Sequence, residues 1–225
     1  EAAVFSNGFV ARYAMSEATD AAVFDSTSNN HDSTVHLSDT GTGQIGPGRV
    51  FNGSSDLLSI PDANDLDFTT NFAVSMWFKP TNLTQTNRYI LNKQANRYAI
   101  LWEYVNNTVE FYSSAFSGTD PRTGSQLVII DLNQHHIAYC YDGATWAAYL
   151  DGEPVLSTAR TFALLTTANP LIVGAASASV ANIAATIDEV HLAASRSASW
   201  IKAEYLSGAG TLFSFAAQEA FAAPK

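Results

Sequence analysis

Short runs in which apolar and polar residues alternate recur along the whole chain. One pair of such runs covers residues 135–141 and 146–150, and Asp142-Gly143 lies between them. Asp-Gly between alternating runs predicts a β-hairpin, because a tight turn needs positive φ at its central residues. Counting outward from this turn places His136 opposite Tyr149. The same counting places five apolar residues on one core-facing side of the hairpin: Ile137, Tyr139, Trp146, Ala148 and Leu150.

A second hairpin is predicted from the runs 98–105 and 108–113, which Asn106-Asn107 separates. Asn tolerates the left-handed backbone region, so these two residues can form the turn. In this register Glu103 lies directly opposite Glu110. The other face carries a stripe that an antiparallel sheet with one solvated face would bury: Trp102, Tyr104, Val109 and Phe111. An exposed platform on which sugars stack is the alternative interpretation of this stripe.

Further strands are predicted wherever the alternating pattern returns: Val10–Met15, Arg49–Asn52, Leu57–Ile60, Phe72–Lys79, Tyr89–Lys93, Leu127–Asp131, Leu171–Gly174 and Thr186–Leu192. The polar segments 25–39 and 115–126 are predicted to be loops. Many short strands separated by turn residues are typical of a sandwich or barrel rather than of βαβ units.

One helix is predicted near the C-terminal end of the chain. Ser197 or Ser199 can cap it, and Ile201 and Tyr205 share one of its faces at a spacing of four residues. The tail that follows, residues 207–225, is rich in apolar residues, and its segment 211–215 is predicted to form an edge strand.

The length and composition fit one domain. The chain has 225 residues, of which 47% are hydrophobic, and this suffices for the core of one large all-β domain. We therefore predict a single domain over residues 1–225, with its core at about 10–206. No stretch approaches the roughly 20 uninterrupted apolar residues that a membrane-spanning helix needs, so we expect no membrane insertion.

The charge of the chain excludes one class of partner. Its formal net charge is −10 and its pI is near 4.7, and lysine and arginine are scattered. A protein that binds nucleic acid needs a basic cluster for the phosphate backbone, so we expect no nucleic-acid partner. Cys140 is the only cysteine. It lies in the middle of a predicted strand, which indicates a buried and unreactive thiol.

Several segments together resemble a known family. They are Phe51-Asn52-Gly53, the strand 72–80, the hairpin around Asp142-Gly143, the segment Ile187-Asp188-Glu189-Val190 and the ending 200–205. In their order and spacing they resemble the laminin-G-like, concanavalin A-like jelly-roll family, in the form found in large secreted prokaryotic proteins. The resemblance implies an all-β fold, an antiparallel two-sheet β-sandwich of the jelly-roll type with one short C-terminal helix.

The resemblance also implies a structural calcium ion. The segment 25–32 resembles the family's Asp- and Asn-containing loop, which frequently meets the Asp of the Ile-Asp-Glu segment around calcium. By this likeness Asp25 and Asp188 supply carboxylates and Asn30 supplies a carbonyl, and calcium prefers such oxygen ligands. The alternative is that Asp25 caps its own turn and Asp188 accepts a hydrogen bond from a loop amide.

The predicted pair of Glu103 and Glu110 is the candidate ligand-binding group, and Tyr112 lies on the same face. Like charges directly across a strand pair are mildly destabilising, so we expect solvation, Arg97 or a bound cation to offset them. A glycosidase also needs two carboxylates. However, related hydrolases carry them in a Glu-x-Asp-x-x-Glu strand motif that this chain lacks.

Three functional hypotheses follow from the sequence. The first is a non-catalytic extracellular recognition or adhesion module that binds glycan or a protein surface. The second is a structural subunit of a surface assembly, a filament, sheath or virion appendage, which self-assembles through the C-terminal tail. The third is an enzyme that acts on glycosides. All three place the protein outside the cell or on a surface.

Overall fold

The computed structural model describes residues 8–103 and 106–211. Within these ranges the chain forms 17 strands and one α-helix. The strands are β1 (Phe9–Tyr13), β2 (Val35–Leu37), β3 (Asp39–Thr42), β4 (Pro47–Asn52), β5 (Leu57–Ile60), β6 (Phe72–Pro80), β7 (Arg88–Lys93), β8 (Tyr98–Glu103), β9 (Thr108–Tyr112), β10 (Phe116–Gly118), β11 (Leu127–Val128), β12 (His135–Tyr141), β13 (Thr145–Leu150), β14 (Glu153–Ala159), β15 (Phe162–Leu164), β16 (Leu171–Val173) and β17 (Ala184–Ala193). The helix α1 covers Ala198–Gly208, and a single 3-10 turn covers Asn64–Leu66.

The strands form two main sheets. The first sheet has the order β14-β13-β12-β6-β17-β4-β3, with β1 paired to β17, and the second has the order β11-β9-β8-β7-β16-β5-β2. Strands β10 and β15 form a separate pair. Neighbouring strands are antiparallel in both sheets, and apolar side chains from both sheets share one buried cluster. The predicted antiparallel two-sheet sandwich is therefore confirmed.

Aromatic side chains fill the space between the sheets. The Phe111 ring contacts the Trp146 ring edge-on at a centroid distance of 4.9 Å, and the Phe72 ring packs on Phe111 at 5.7 Å. Trp102 is fully buried beside Phe78, at 5.9 Å between ring centroids. The members of the predicted stripe that the structure describes, at positions 102, 109 and 111, are all in the core. The fourth, Tyr104, lies outside the described residues.

The register predicted for the β8–β9 hairpin is wrong by two residues. Glu103 lies opposite Thr108, and Glu110 lies opposite Leu101. Because Glu103 is the residue paired with Thr108, the connection between the strands is longer than the predicted two-residue turn at Asn106-Asn107. Asn107 has a positive φ of 50°. Because side chains alternate with a period of two, a shift of two residues leaves each of them on its predicted face.

The β12–β13 hairpin shows the same correction. Asp142 N–H donates to Thr145 O at 3.3 Å, so that Gly143 and Ala144 are the central residues of the turn. Ile137 consequently lies opposite Leu150, and the predicted pairing of His136 with Tyr149 is wrong. The five apolar residues of this hairpin nevertheless share one face, and four of them are fully buried, while Leu150 is partly buried.

Several strands were not predicted. Strands β2 and β3 lie in or next to the segment that was predicted to be a polar loop, and β10, β14 and β15 were also missed. They are short, or they lie at a sheet edge as β14 does. Most β14 side chains are exposed or half-exposed, so the strand lacks the apolar alternation that identifies a strand in sequence. The edge strand predicted at 211–215 lies, from residue 212 onward, outside the described residues.

Helix α1 packs on the outer side of the first sheet. The Ser197 hydroxyl caps it by accepting a hydrogen bond from Trp200 N–H at 3.2 Å. Ile201 is fully buried in a second apolar cluster with Ala138 and Cys140 of β12. The predicted burial of Cys140 is thus confirmed, and burial raises the pKa of its thiol to about 12. Among the described residues, no helix has the length and apolar character needed to cross a membrane.

Candidate functional site

The three residues predicted to bind ligand lie together on the outer side of the second sheet. Leu101 pairs with both Tyr89 and Glu110, so these residues form a row across β7, β8 and β9. Glu103 and Tyr112 each lie two residues from this row, so they point to the same side. We call the surface formed by Tyr89, Glu103, Glu110 and Tyr112 the Tyr112 face. Its four side chains are all half-buried.

Neighbouring polar groups fix the side chains of this face. Gln126 Nε2 donates to Glu110 Oε2 at 3.1 Å. The guanidinium carbon of Arg122 lies 5.5 Å from the centre of the Tyr112 ring. Asp120 in turn holds Arg122, which donates from Nε to both carboxylate oxygens at 2.9 Å. The cation is therefore positioned over the tyrosine ring.

The two carboxylates of the Tyr112 face influence each other without being directly paired. Burial raises the pKa of Glu103, and the nearby charge of Glu110 raises it further. With its amide nitrogen turned towards the carboxylate, Asn87 donates to Glu103 Oε2 at 2.6 Å. The side-chain amides of Asn87 and Gln126 thus contact the two carboxylates. From the sequence, Arg97 was among the groups expected to offset their charge. The face presents two acceptor groups at a half-buried surface, and these favour a ligand rich in hydroxyl donors.

Asp25, the first predicted calcium ligand, organises its own turn. Its Oδ1 accepts hydrogen bonds from the backbone N–H groups of Arg12 at 3.0 Å and Thr27 at 2.9 Å. Its Oδ2 accepts from the Thr27 hydroxyl at 2.8 Å and from His31 N–H at 3.0 Å. These four bonds use the acceptor capacity of the carboxylate. The side chain of Asn30, the predicted carbonyl ligand, donates to Ser28 O at 3.0 Å.

Asp188, the second predicted carboxylate ligand, is fully buried and belongs to a different network. Its Oδ2 accepts hydrogen bonds from the backbone N–H groups of Gln44 and Ile45, both at 2.8 Å. Burial raises its pKa to about 6. Among the described residues, no group of three or more His, Cys, Asp or Glu side chains is arranged to hold a metal ion. The structure thus holds Asp25 and Asp188 in separate hydrogen-bond networks, and Asp188 Oδ1 is buried without a hydrogen-bond partner among the described residues.

Calcium binding stays a prediction of the sequence, and a thermal melt tests it. A structural calcium ion would raise the melting temperature in millimolar Ca²⁺, because a ligand that binds only the native state stabilises it by mass action. Chelation with EGTA would reverse the rise, and Asp188→Asn would abolish it. A melting temperature that is the same with Ca²⁺ and with EGTA would contradict the prediction.

A charged cluster that the sequence did not predict lies between α1 and the first sheet. Glu189 Oε2 accepts from Arg12 Nη2 at 2.6 Å and lies 3.1 Å from His191 Nε2. The other ring nitrogen of His191 is hydrogen-bonded to Glu204 Oε1, which also accepts from the Ser75 hydroxyl at 2.8 Å. We call Arg12, Glu189, His191 and Glu204 the charge network. It joins β1 and β17 to the helix.

The backbone of β17 creates this arrangement. The strand is irregular between Asp188 and His191, and Glu189 has a positive φ of 48°. A positive φ is unfavourable for a residue other than glycine, so the surrounding contacts must hold it. The polar residues Glu189 and His191 in a largely apolar strand, which also carries Thr186 and Asp188, were the available sequence signal. Their partners Arg12 and Glu204 are distant in sequence, so the network itself was not predictable.

The charge network has strongly shifted proton affinities. Burial alone would raise the pKa of Glu204, but hydrogen bonding to His191 and the charges of His191 and His136 lower it to about 2. Burial would lower the pKa of His191, but its hydrogen bonds to Glu189 and Glu204 outweigh this effect and raise it. Burial lowers the pKa of His136 to about 4. Glu204 is therefore a carboxylate and His191 an imidazolium in mildly acidic solution.

Comparison with known proteins places the chain among lectin-like domains. A family model described as the concanavalin A-like lectin/glucanases superfamily matches residues 52–216. Among curated proteins, the sequence has no match.

Three solved structures illustrate the likeness of the fold. The binding domain of Paraclostridial Mosquitocidal Protein 1 has a TM-score of 0.69 and 14% identity, over 89% of this chain and 52% of that chain. This chain thus spans about half of that binding domain. Domain 4 of AbnA, an extracellular GH43 arabinanase from Geobacillus stearothermophilus solved with arabinotriose, has a TM-score of 0.67 and 21% identity, over 87% of this chain and 97% of that chain.

The third is the ligand binding domain of botulinum neurotoxin serotype D, solved with N-acetylneuraminic acid. It has a TM-score of 0.62 and 14% identity, over 91% of this chain and 52% of that chain. At these identities the likeness concerns the fold.

Proposed function

The chain belongs to the concanavalin A-like lectin/glucanases superfamily, and from this membership we propose that it is a non-catalytic module that binds carbohydrate on the Tyr112 face. A location outside the cell or on a surface is part of the same proposal, and it rests on the resemblance to secreted proteins. Two of the solved structures with this fold carry a sugar, arabinotriose in one and N-acetylneuraminic acid in the other. We therefore favour glycan over a protein surface as the partner.

The observation that carries the proposal is the chemistry of the Tyr112 face. Tyr89 and Tyr112 present half-buried rings, and a sugar ring can pack its C–H groups on such rings while its hydroxyl groups remain hydrogen-bonded. Glu103 and Glu110 provide acceptors beside the rings, and Arg122 provides donors. A few polar groups that converge on aromatic surface are typical of small-ligand sites.

The geometry also supports binding rather than hydrolysis. Glycosidases place two carboxylates at a defined separation and hold one of them protonated as the general acid. Here Glu103 lies opposite Thr108 and not opposite Glu110, so the direct pair considered from the sequence is absent from this hairpin. The carboxylates are bound by the amides of Asn87 and Gln126. These contacts suit groups that hold a ligand in place.

Removing one ring from the Tyr112 face tests the proposal. A glycan array first identifies an oligosaccharide, with arabinan fragments and sialylated glycans among the ligands tested. We expect Tyr112→Ala to weaken binding of that oligosaccharide about tenfold or more in isothermal titration, which corresponds to about 1.4 kcal/mol. Phe24→Ala is the matched control, because Phe24 is an exposed aromatic residue in the loop before β2. It should leave the affinity unchanged.

Three results would contradict the proposal in different ways. If wild-type protein and Tyr112→Ala bound the oligosaccharide with equal affinity, the binding site would have to lie elsewhere on the molecule. Release of reducing ends that disappears in both Glu103→Gln and Glu110→Gln would make the protein a hydrolase. Absence of glycan binding together with concentration-dependent growth of particles would favour the assembly subunit. Of the apolar tail invoked for that alternative, residues 212–225 lie outside the described residues.

A further inference from the structure

A cavity of about 270 Å³ lies between α1 and the outer side of the first sheet. The charge network lines it together with the rings of Phe9, Trp77 and Trp200, and we call this cavity the α1 pocket. We propose that the α1 pocket is a second binding site, and that its ligand is one uncharged sugar ring held by Glu189 and Glu204. The Tyr112 face is on the other sheet, so this site is separate from the one proposed above.

The pocket exists because the helix presents small residues at this place. Ala203, Ser207 and Gly208 of α1 line it beside the longer side chains of Trp200 and Glu204. A side chain at position 208 would collide with the Trp77 ring, because a Cβ atom there would lie 2.7 Å from Trp77 Nε1. On the opposite side, the irregular strand at Glu189 directs a charged side chain towards the helix. Gly208 packs closely on the Trp77 ring. The neighbouring residues Ala203 and Ser207 are small, so they leave open a space that larger side chains would fill.

Two carboxylate oxygens of the pocket keep unused hydrogen-bonding capacity. Both partners of Glu189, the side chains of Arg12 and His191, contact Oε2, so among the described residues Oε1 has no partner. Likewise, Ser75 and His191 contact Oε1 of Glu204, whereas Oε2 has only the ring of His136, at 3.9 Å. The side chain of Glu189 is only 5% exposed. Glu189 and Glu204 both line the cavity, so these oxygens can accept hydrogen bonds from water or from hydroxyl groups of a ligand there.

The ion pairs of the pocket favour an uncharged ligand. The charged side chains of the network already contact one another, Arg12 with Glu189 and His191 with both Glu189 and Glu204. An ammonium group would need an excess of negative charge or aromatic faces without a cation. Yet Arg196 already lies over the rings of Phe9 and Trp200, at 4.8 Å and 4.6 Å from their centres.

An uncharged ligand with several hydroxyl groups satisfies these conditions together. It donates to the two free carboxylate oxygens, and its apolar C–H face packs against indole and phenyl groups. The volume of about 270 Å³ lies just below the usual range for ligand pockets of about 300–1,000 Å³ and suits one ring rather than a chain. The ligand class is therefore a single neutral sugar, free or at the end of a glycan.

Saturation-transfer NMR on the full chain tests the second site. The ligands are L-arabinose, D-galactose and D-glucose, with choline as the cation and N-acetylneuraminic acid as the anion. We expect saturable binding of at least one neutral sugar with a Kd of about 1 mM, since so small a ligand makes few contacts to offset the entropic cost of binding. Choline should not compete with it.

Two matched variants locate the binding. Ser207→Leu places a larger side chain in the pocket wall, and Ser199→Leu makes the same change at an exposed position of α1 outside the pocket. We expect Ser207→Leu to weaken binding of the sugar about tenfold and Ser199→Leu to have no effect. Glu189→Gln should weaken it as well, and thermal melts show whether each variant is folded. Tyr112→Ala should leave this binding intact.

The possible results separate the two sites. Binding of the sugar that Ser207→Leu leaves unchanged would overturn the inference, as would absence of neutral-sugar binding at concentrations well above 1 mM. Choline binding that Ser207→Leu removes would also overturn it, because the pocket would then take a cation. A loss of binding in Tyr112→Ala alone would assign the sugar to the other sheet. In that case the proposed function stands without a second site.

Discussion

Trp102→Ala is expected to lower the free energy of unfolding by about 3–5 kcal/mol, the usual range for emptying a large aromatic site in a core. Trp102 is 0% exposed and packs between the sheets against Phe78. Its indole Nε1 has no hydrogen-bond partner among the described residues, so the loss reflects packing and burial alone. Urea unfolding followed by far-UV circular dichroism measures the change.

Val128→Ala is the control for this prediction. Val128 belongs to the same sheet and is 54% exposed, so its truncation should change stability by less than about 0.5 kcal/mol. A loss below about 1 kcal/mol in Trp102→Ala would contradict the buried position. It would instead support the exposed sugar-stacking stripe considered from the sequence.

Glu204→Gln is expected to remove about 3 kcal/mol of stability in mildly acidic solution. The pKa of Glu204 falls from its ordinary value of 4.5 to about 2 in the folded protein, and such a change corresponds to about 3 kcal/mol. The stabilisation is complete above pH 4.5 and is lost as the pH falls towards 2. The amide of glutamine cannot carry the charge that pairs with His191.

His191 sets the upper limit of the same pH range. Its pKa is raised above 6.5 in the folded protein, so its contribution is complete below pH 6.5 and is lost as the pH rises through the raised value. The pKa shifts of Glu204 and His191 arise from the same ion pair, so their contributions to the free energy of unfolding are not added together. His136 nearby has its pKa lowered to about 4 by burial, so it loses its charge towards the upper part of this range. The difference between wild-type protein and Glu204→Gln should therefore be largest between about pH 4.5 and 6.5.

Thermal and urea melts at several pH values check this prediction. Glu153→Gln is the control, because Glu153 also forms an ion pair with α1, through Lys202, but is 69% exposed. Exposed pairs contribute about 1 kcal/mol or less, so this variant should follow the wild-type curve closely. If Glu204→Gln gave the same curve as Glu153→Gln, the buried charge network would not stabilise the contact between helix and sheet.

Both predictions depend on which face of a strand a residue occupies, and the sequence determined this well. Trp102, Val109 and Phe111 are buried as predicted, although Trp102 lies opposite Val109 and not opposite Phe111. Alternation of apolar and polar residues depends only on neighbours one and two positions away. For the same reason the sequence placed Glu103, Glu110 and Tyr112 on one face, and the structure finds them there.

The pairing of strands was less predictable than their faces. In both hairpins the register differs by two residues: the β12–β13 turn is centred on Gly143 and Ala144 and not on Asp142 and Gly143, and the β8–β9 connection is longer than Asn-Asn indicated. Turn geometry depends on the φ angles that the flanking strands permit, and packing of the whole sheet sets those. Short and exposed edge strands such as β14 were missed for a related reason. Their pairing depends on a neighbouring strand and not on their own pattern.

What the sequence determined by itself is the all-β class, the faces of the central strands and the C-terminal helix, since each follows from local periodicity and capping, whereas the two-sheet sandwich was implied by the family resemblance. Only the tertiary structure decided which polar residues meet. It holds Asp25 and Asp188 in separate hydrogen-bond networks, and it brings Arg12, Glu189, His191 and Glu204 together beneath α1. These contacts join residues as many as 177 positions apart. They form because the irregular strand β17 and the helix α1 pack against each other. The pattern of residues within one segment carries no information about such a tertiary contact.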